Sequence, residues 1–150
     1  MGLGERSKDL GLLVLRVGIG IMFVAHGVII LLAGPGSMEG PKGPHGWVAV
    51  GSAMSYLGIN FGHVAWGFAA GAFQAVGGLF LALGVFVRFF ALLLLLIMLI
   101  AANMHLQAGQ GFTVASHAIE DAIVFLALLF IGSGRYVLKL PKKHSTSTPS

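Results

Sequence analysis

From Val64 to Ala102 the chain runs for 39 residues with only Gln74 and Arg88 interrupting an apolar composition. As one helix that run would be about 58 Å long, nearly twice the roughly 30 Å hydrocarbon core of a bilayer. It must fold back on itself. Gly84 to Phe89 holds its only charge, Arg88, so the hairpin belongs there. One span is therefore expected near residues 64–84 and another near 88–106.

Leu12 to Ala33 is a second apolar run, broken only by Arg16 and His26, and it too is long enough to cross. A secretory leader would carry an apolar stretch of about 7–15 residues behind a basic start. This run is longer, and Glu5 and Asp9 precede it, so it is expected to be a retained first span. Gln107 to Gly111 is a turn-rich break, and a fourth span follows from about Thr113 to Gly132. The expected fold is all-α: an integral membrane four-helix bundle over residues 1–140, ending in a polar, disordered tail over 141–150. With 57% hydrophobic residues, 9% charged and a mean hydropathy of +0.93, a soluble globular domain is excluded.

Lysine and arginine orient the bundle. Four spans put both termini on one side, which holds Arg6, Lys8, Arg88, Arg135, Lys139, Lys142 and Lys143, whereas the opposite loops hold only Lys42. That bias places both termini in the cytoplasm. It also explains the basic pI without nucleic acid, because the cations flank apolar runs and form no patch. Arg16, about one turn into the first span, is expected to snorkel to the same face, the alternative being contact with an anion or headgroup. Trp47 to Ile59 is apolar but too short to span, and is expected to be an interfacial or re-entrant segment after the first span.

Ionisable side chains inside such spans are costly, by about 2.5–3.5 kcal/mol each at a helix centre, and mark a functional site by default. Counting residues along alternating spans puts His26, His105, His117 and Glu120 in one layer, about 6–10 Å beneath the outer boundary. His117, Glu120 and Asp121 are spaced i, i+3, i+4 and share a helix face, expected to look into the bundle or a polar cavity because lipid cannot solvate it. Gln74 and Asn103 are candidate hydrogen-bonding neighbours. Three uses of the set stay open: a haem or metal site, which imidazole and carboxylate can build between facing helices; hydrogen bonding and proton relay to a quinone; and pairing that merely fixes helix register. With no cysteine and no phosphate-binding or covalent haem motif, thiolate chemistry, nucleotide binding and covalent haem attachment are excluded. Gly67, Gly71 and Ala75 form a small-residue stripe for close packing, inside one bundle or between copies of the chain.

Several stretches together resemble the DoxX family of small four-span membrane proteins, across roughly residues 12–140. They are Leu15 to Gly18 with His26-Gly27, Gly77 to Gly84 leading to Arg88, Ala102 to His105 followed by Gly111-Phe112, Glu120, and Gly132 to Arg135. The family commonly has Glu where this chain has Gln74, and Thr where it has Val87. The resemblance implies a multi-pass protein of a prokaryotic cytoplasmic membrane. It also implies association with quinone-linked sulfur oxidation or with complexes that resist oxidative stress. The expected partners are membrane lipids, a quinone, a redox or sulfur-oxidising subunit, and a further copy of the chain.

Overall fold

The computed structural model describes residues 3–36 and 46–137. The expected tail over 141–150, and with it Lys42 and His45, lies outside the described residues. The elements are α1 (Leu3–Ala33), the short α2 (Trp47–Gly51) running into a 3-10 helix (Ser52–Leu57), α3 (His63–Leu83), α4 (Val87–Gln107) and α5 (Phe112–Ile131). Four of them, Arg6–Ala33, His63–Leu83, Val87–Gln107 and Phe112–Ile131, are long and apolar enough to cross a membrane. The hairpin lies where Arg88 placed it: Gly84 ends α3 and Phe86 precedes α4, both with positive φ (76° and 49°). By contrast α1 begins at Leu3, well before its apolar run. At 31 residues it is about 46 Å long, so some three turns project beyond the bilayer core. Hydropathy locates where lipid ends, and a helix need not end there.

The four long helices run up-down-up-down, with α1 packed on α3, α3 on α4 and α4 on α5. Gly20 of α1 meets Gly78 of α3, and Gly27 meets Gly71 and Ala75. Phe80 of α3 stacks on Phe90 of α4, with ring centroids 4.7 Å apart. Leu94, Leu95, Met98 and Ala102 of α4 share a core with Ala118, Ala122, Phe125 and Leu128 of α5. Between α5 and α1 the contact is made by side chains alone, Phe125 meeting Phe23 edge to face at 4.7 Å.

These contacts are not equivalent. Lipid is as apolar as leucine, so helices in a bilayer associate through close packing rather than through exclusion of water. The α1–α3 pair achieves it by removing side chains. A Cβ on Gly20 would lie 2.5 Å from the Gly78 carbonyl oxygen, and a Cβ on Gly78 equally close to that of Gly20. The α1–α5 pair is instead spaced by two phenylalanines. The small-residue stripe of α3 is used inside the bundle, with Gly67 against Trp47, Gly71 against Ile30 and Ala75 against Gly27. Trp47 pins α2 over the ends of α1 and α3: its Nε1 donates to the Ile30 carbonyl at 3.0 Å, its backbone N–H to Gly34 at 2.9 Å, and its ring packs on Phe68.

Arg16 departs from expectation. It is 1% exposed, among the most buried side chains present, and does not snorkel to the surface. Its guanidinium turns inward at the end of the bundle that carries the termini, where Nη2 donates to the Tyr136 carbonyl. The bare α-carbon of Gly84 leaves the space it occupies.

The glycine contacts yield a matched pair of variants. Gly27→Ala places a Cβ against the backbone of Ala75 and Gly71, and is expected to cost about 1–3 kcal/mol through overpacking. Gly18→Ala, which meets nothing within 4 Å, is expected to be neutral or to stabilise by up to about 1 kcal/mol through helix propensity. Denaturant titration in detergent distinguishes them; equal stabilities would contradict the close packing of α1 on α3.

Candidate functional site

The polar residues singled out from the sequence lie toward the end of the bundle opposite the termini or midway along it, and the structure separates them into three groups. The first is a seam between α1 and α5. His26 lies seven residues before the end of α1, and His117, Glu120 and Asp121 occupy the first three turns of α5. From the ends of their helices these positions are about 10, 8, 12 and 14 Å deep, respectively. Asp121 is within electrostatic reach of His117 and Glu120 on its own helix and of His26 across the seam. Asp121 thus has two imidazoles and a second carboxylate within reach, one of the imidazoles from the other helix.

The seam faces outward, contrary to the expectation that this face looks into the bundle. His26, His117 and Glu120 are exposed on the side of the bundle, and Asp121 is half-buried. The reason is visible along α5: Ala115, Ala118, Ala122, Phe125 and Leu128 take every inward position. His117 and Glu120 fall on the turns between them. One turn deeper than His26 and Asp121, the Phe23–Phe125 pair forms an aromatic floor. Below that floor the seam is apolar until Arg16.

The second group is a polar network at the mouth of α4. His105 belongs to it by position and does not reach the seam. Its Nδ1 lies 2.6 Å from Gln110 Oε1, bracing the turn between α4 and α5. Asn103 Oδ1 accepts from Gln107 Nε2 at 2.8 Å, and the same nitrogen points at the Tyr56 carbonyl at 3.4 Å, fastening α4 to the 3-10 helix. Asn103 Nδ2 is buried and has no partner among the described residues. Nearby, His63 Nε2 and Ser55 Oγ are 3.0 Å apart and tie α3 to the same short helix. The third group is Gln74 alone, 3% exposed halfway along α3, its Oε1 without a partner among the described residues. The layer inferred by counting therefore draws on two spans rather than three, because a count along a helix yields depth but not azimuth.

Chemically, the seam offers imidazole donors and acceptors and carboxylate proton acceptors beside an aromatic surface, open to the side. Among the described residues no three His, Asp or Glu side chains are grouped so as to hold a metal ion. The residues that escaped notice as a set are Gln107, Tyr56 and Ser55. Their only sequence signal is ordinary polarity in turns, which carries no information about partners.

Comparison with known proteins agrees with the architecture. A family model described as DoxX matches residues 11–114. The match includes His26, Gln74, Asn103 and His105 and stops short of His117, Glu120 and Asp121. No curated protein and no solved structure matches the chain. With well over half of its length matched and four helices able to cross a bilayer, the chain belongs to the DoxX family of multi-pass membrane proteins.

Proposed function

We propose that this chain is an integral membrane subunit of a quinone-linked redox complex in the cytoplasmic membrane of a prokaryote. Its partner would be a subunit that oxidises sulfur compounds or counters oxidative stress. The supporting observation is the α1–α5 seam: His26, His117, Glu120 and Asp121 set about 8–14 Å deep, the first three open sideways. A quinone dissolves in the bilayer, and its reduction to quinol takes up two electrons and two protons. The electrons come from the partner, and this chain's part is to seat the headgroup and handle the protons.

The residues suit that part. An imidazole N–H donates to a carbonyl oxygen, and a carboxylate beside it holds a proton for transfer or reclaims one. Glu120 and Asp121 lie about 12–14 Å from the start of α5, and His117, about 8 Å deep on the same helix, stands between them and the aqueous edge. The Phe23–Phe125 floor offers a ring an apolar neighbour and closes the seam toward the other half of the membrane.

A second reading has an observation of its own. His117 and Glu120 sit on the outside of the bundle, where lipid solvates ions poorly. An adjoining membrane helix would cover them, as in a non-catalytic assembly subunit.

Two measurements separate these readings. Protein purified with its native lipids is expected to carry quinone, detected by mass spectrometry of the extract. Glu120→Gln and His26→Ala are each expected to lower quinone occupancy and the turnover of the complex by about 10²-fold or more, the scale of lost acid–base assistance. Stability should change by no more than about 0.5 kcal/mol, since both side chains are exposed. Absent quinone and unaltered turnover in both variants would end the redox proposal; loss of partner association with turnover per assembled complex intact would favour the assembly subunit.

A further inference from the structure

The end of the bundle that carries the termini has a site of different character. The α3–α4 turn and the chain leaving α5 enclose an open pocket of about 540 Å³. Gly84, Arg88 and Gly132 line its polar part, and Phe86, Phe89 and Ile131 its apolar rim. Those three apolar side chains are exposed: Phe86 68%, Phe89 62%, Ile131 60%.

Two independent observations mark the pocket as electropositive. First, Arg16 is buried behind Gly84, one residue deeper than the pocket lining. Nη2 is held by the Tyr136 carbonyl, but Nε and Nη1 have no partner among the described residues. Nη1 abuts Gly84, and a Cβ added to that glycine would stand 3.2 Å from the guanidinium carbon. A buried charge with unpaired donors is among the costliest arrangements in a protein, and an anion close by is what offsets it. Second, Arg88 projects over the pocket from α4. Its own contact is a long one, Nη2 to the Phe130 carbonyl at 3.5 Å, and its Nε lies 3.2 Å from where a Cβ of Gly132 would be. The start of α4 adds to both. Phe86 provides no side-chain cap, and the first helical bond there is from Phe90 N–H to the Phe86 carbonyl, so the N–H groups of Val87, Arg88 and Phe89 open the helix uncapped. No carboxylate lines the pocket. Asp9 lies in a neighbouring depression with Arg6 and Arg135, its Oδ1 3.5 Å from where a Cβ of Gly134 would be, on the side of the pocket away from Arg88 and the start of α4.

We propose that this pocket binds the phosphate oxyanion of an anionic phospholipid headgroup, held by Arg88 and the first turn of α4 with the buried Arg16 charge behind Gly84. The exposed aromatic rim selects an amphiphile, because acyl chains lie against Phe86, Phe89 and Ile131 while the phosphate meets the guanidinium. The site is distinct from the α1–α5 seam and does not depend on what that seam binds.

Native mass spectrometry of the full, delipidated chain in detergent tests the proposal. Titration with phosphatidylglycerol, and separately with phosphatidylcholine of the same acyl chains, is expected to show about fivefold to tenfold tighter binding of the anionic lipid. Arg88→Gln should remove most of that preference. Lys8→Gln, an exposed cation at the same end and outside the pocket, should keep it. Arg88 is exposed, so its variant folds; Arg16→Gln is a harsher companion and is read only for lipid preference in the folded fraction. An inorganic phosphate titration identifies the source of the anion. Arg88-dependent phosphate binding without lipid preference would give the site a soluble oxyanion and overturn the lipid assignment. Equal binding of the two lipids without phosphate binding, or equal losses from Arg88→Gln and Lys8→Gln, would overturn the site altogether.

Discussion

The approach of α1 to α3 sets the geometry of everything else. In a bilayer, helix association depends on how closely backbones can meet, and Gly20, Gly27, Gly71 and Gly78 bring the backbones of these two helices into direct contact. A four-helix bundle drawn tight on one side is held wider on another. Across the α1–α5 side the spacing is kept by Phe23 and Phe125. The polar residues sit on that wider side. Close packing and an open seam are thus two consequences of one distribution of residue sizes along α1.

The same helix carries polar chemistry at two levels. Near one end His26 lies within electrostatic reach of Asp121; near the other Arg16 is enclosed between Gly84 and Tyr136. Between them lie the aromatic pair and a core of alanine and leucine, with Gln74 the buried polar side chain at mid-height among the described residues. The arrangement suits chemistry confined to one membrane face, with the opposite end engaged in a separate interaction.

The spans were legible in the sequence because length against bilayer thickness is a strict constraint: a 39-residue apolar run has to turn, and Arg88 marked where. The common face of His117, Glu120 and Asp121 was legible from their spacing. Which way that face pointed was not. Lipid's inability to solvate charge argued for the interior, but the alanines of α5 at 115, 118 and 122 had already taken it. Likewise His105 and Asn103 shared a depth with His26 but not an azimuth, and only the fold shows them bracing turns. Arg16 was missed for a related reason. Its place near a helix end fits snorkelling equally well, and its burial depends on Gly84, which is 68 residues away in the chain.

The central claim is that the α1–α5 seam receives a lipid-dissolved quinone headgroup. Its most direct test is photolabelling of the protein in lipid nanodiscs with an azido-quinone, followed by peptide mapping. Saturable labelling confined to the segments around His26 and around His117 to Asp121, and displaced by unlabelled quinone, is the predicted result. Labelling that is not displaceable, or that falls instead on the faces of α3 and α4, would contradict it.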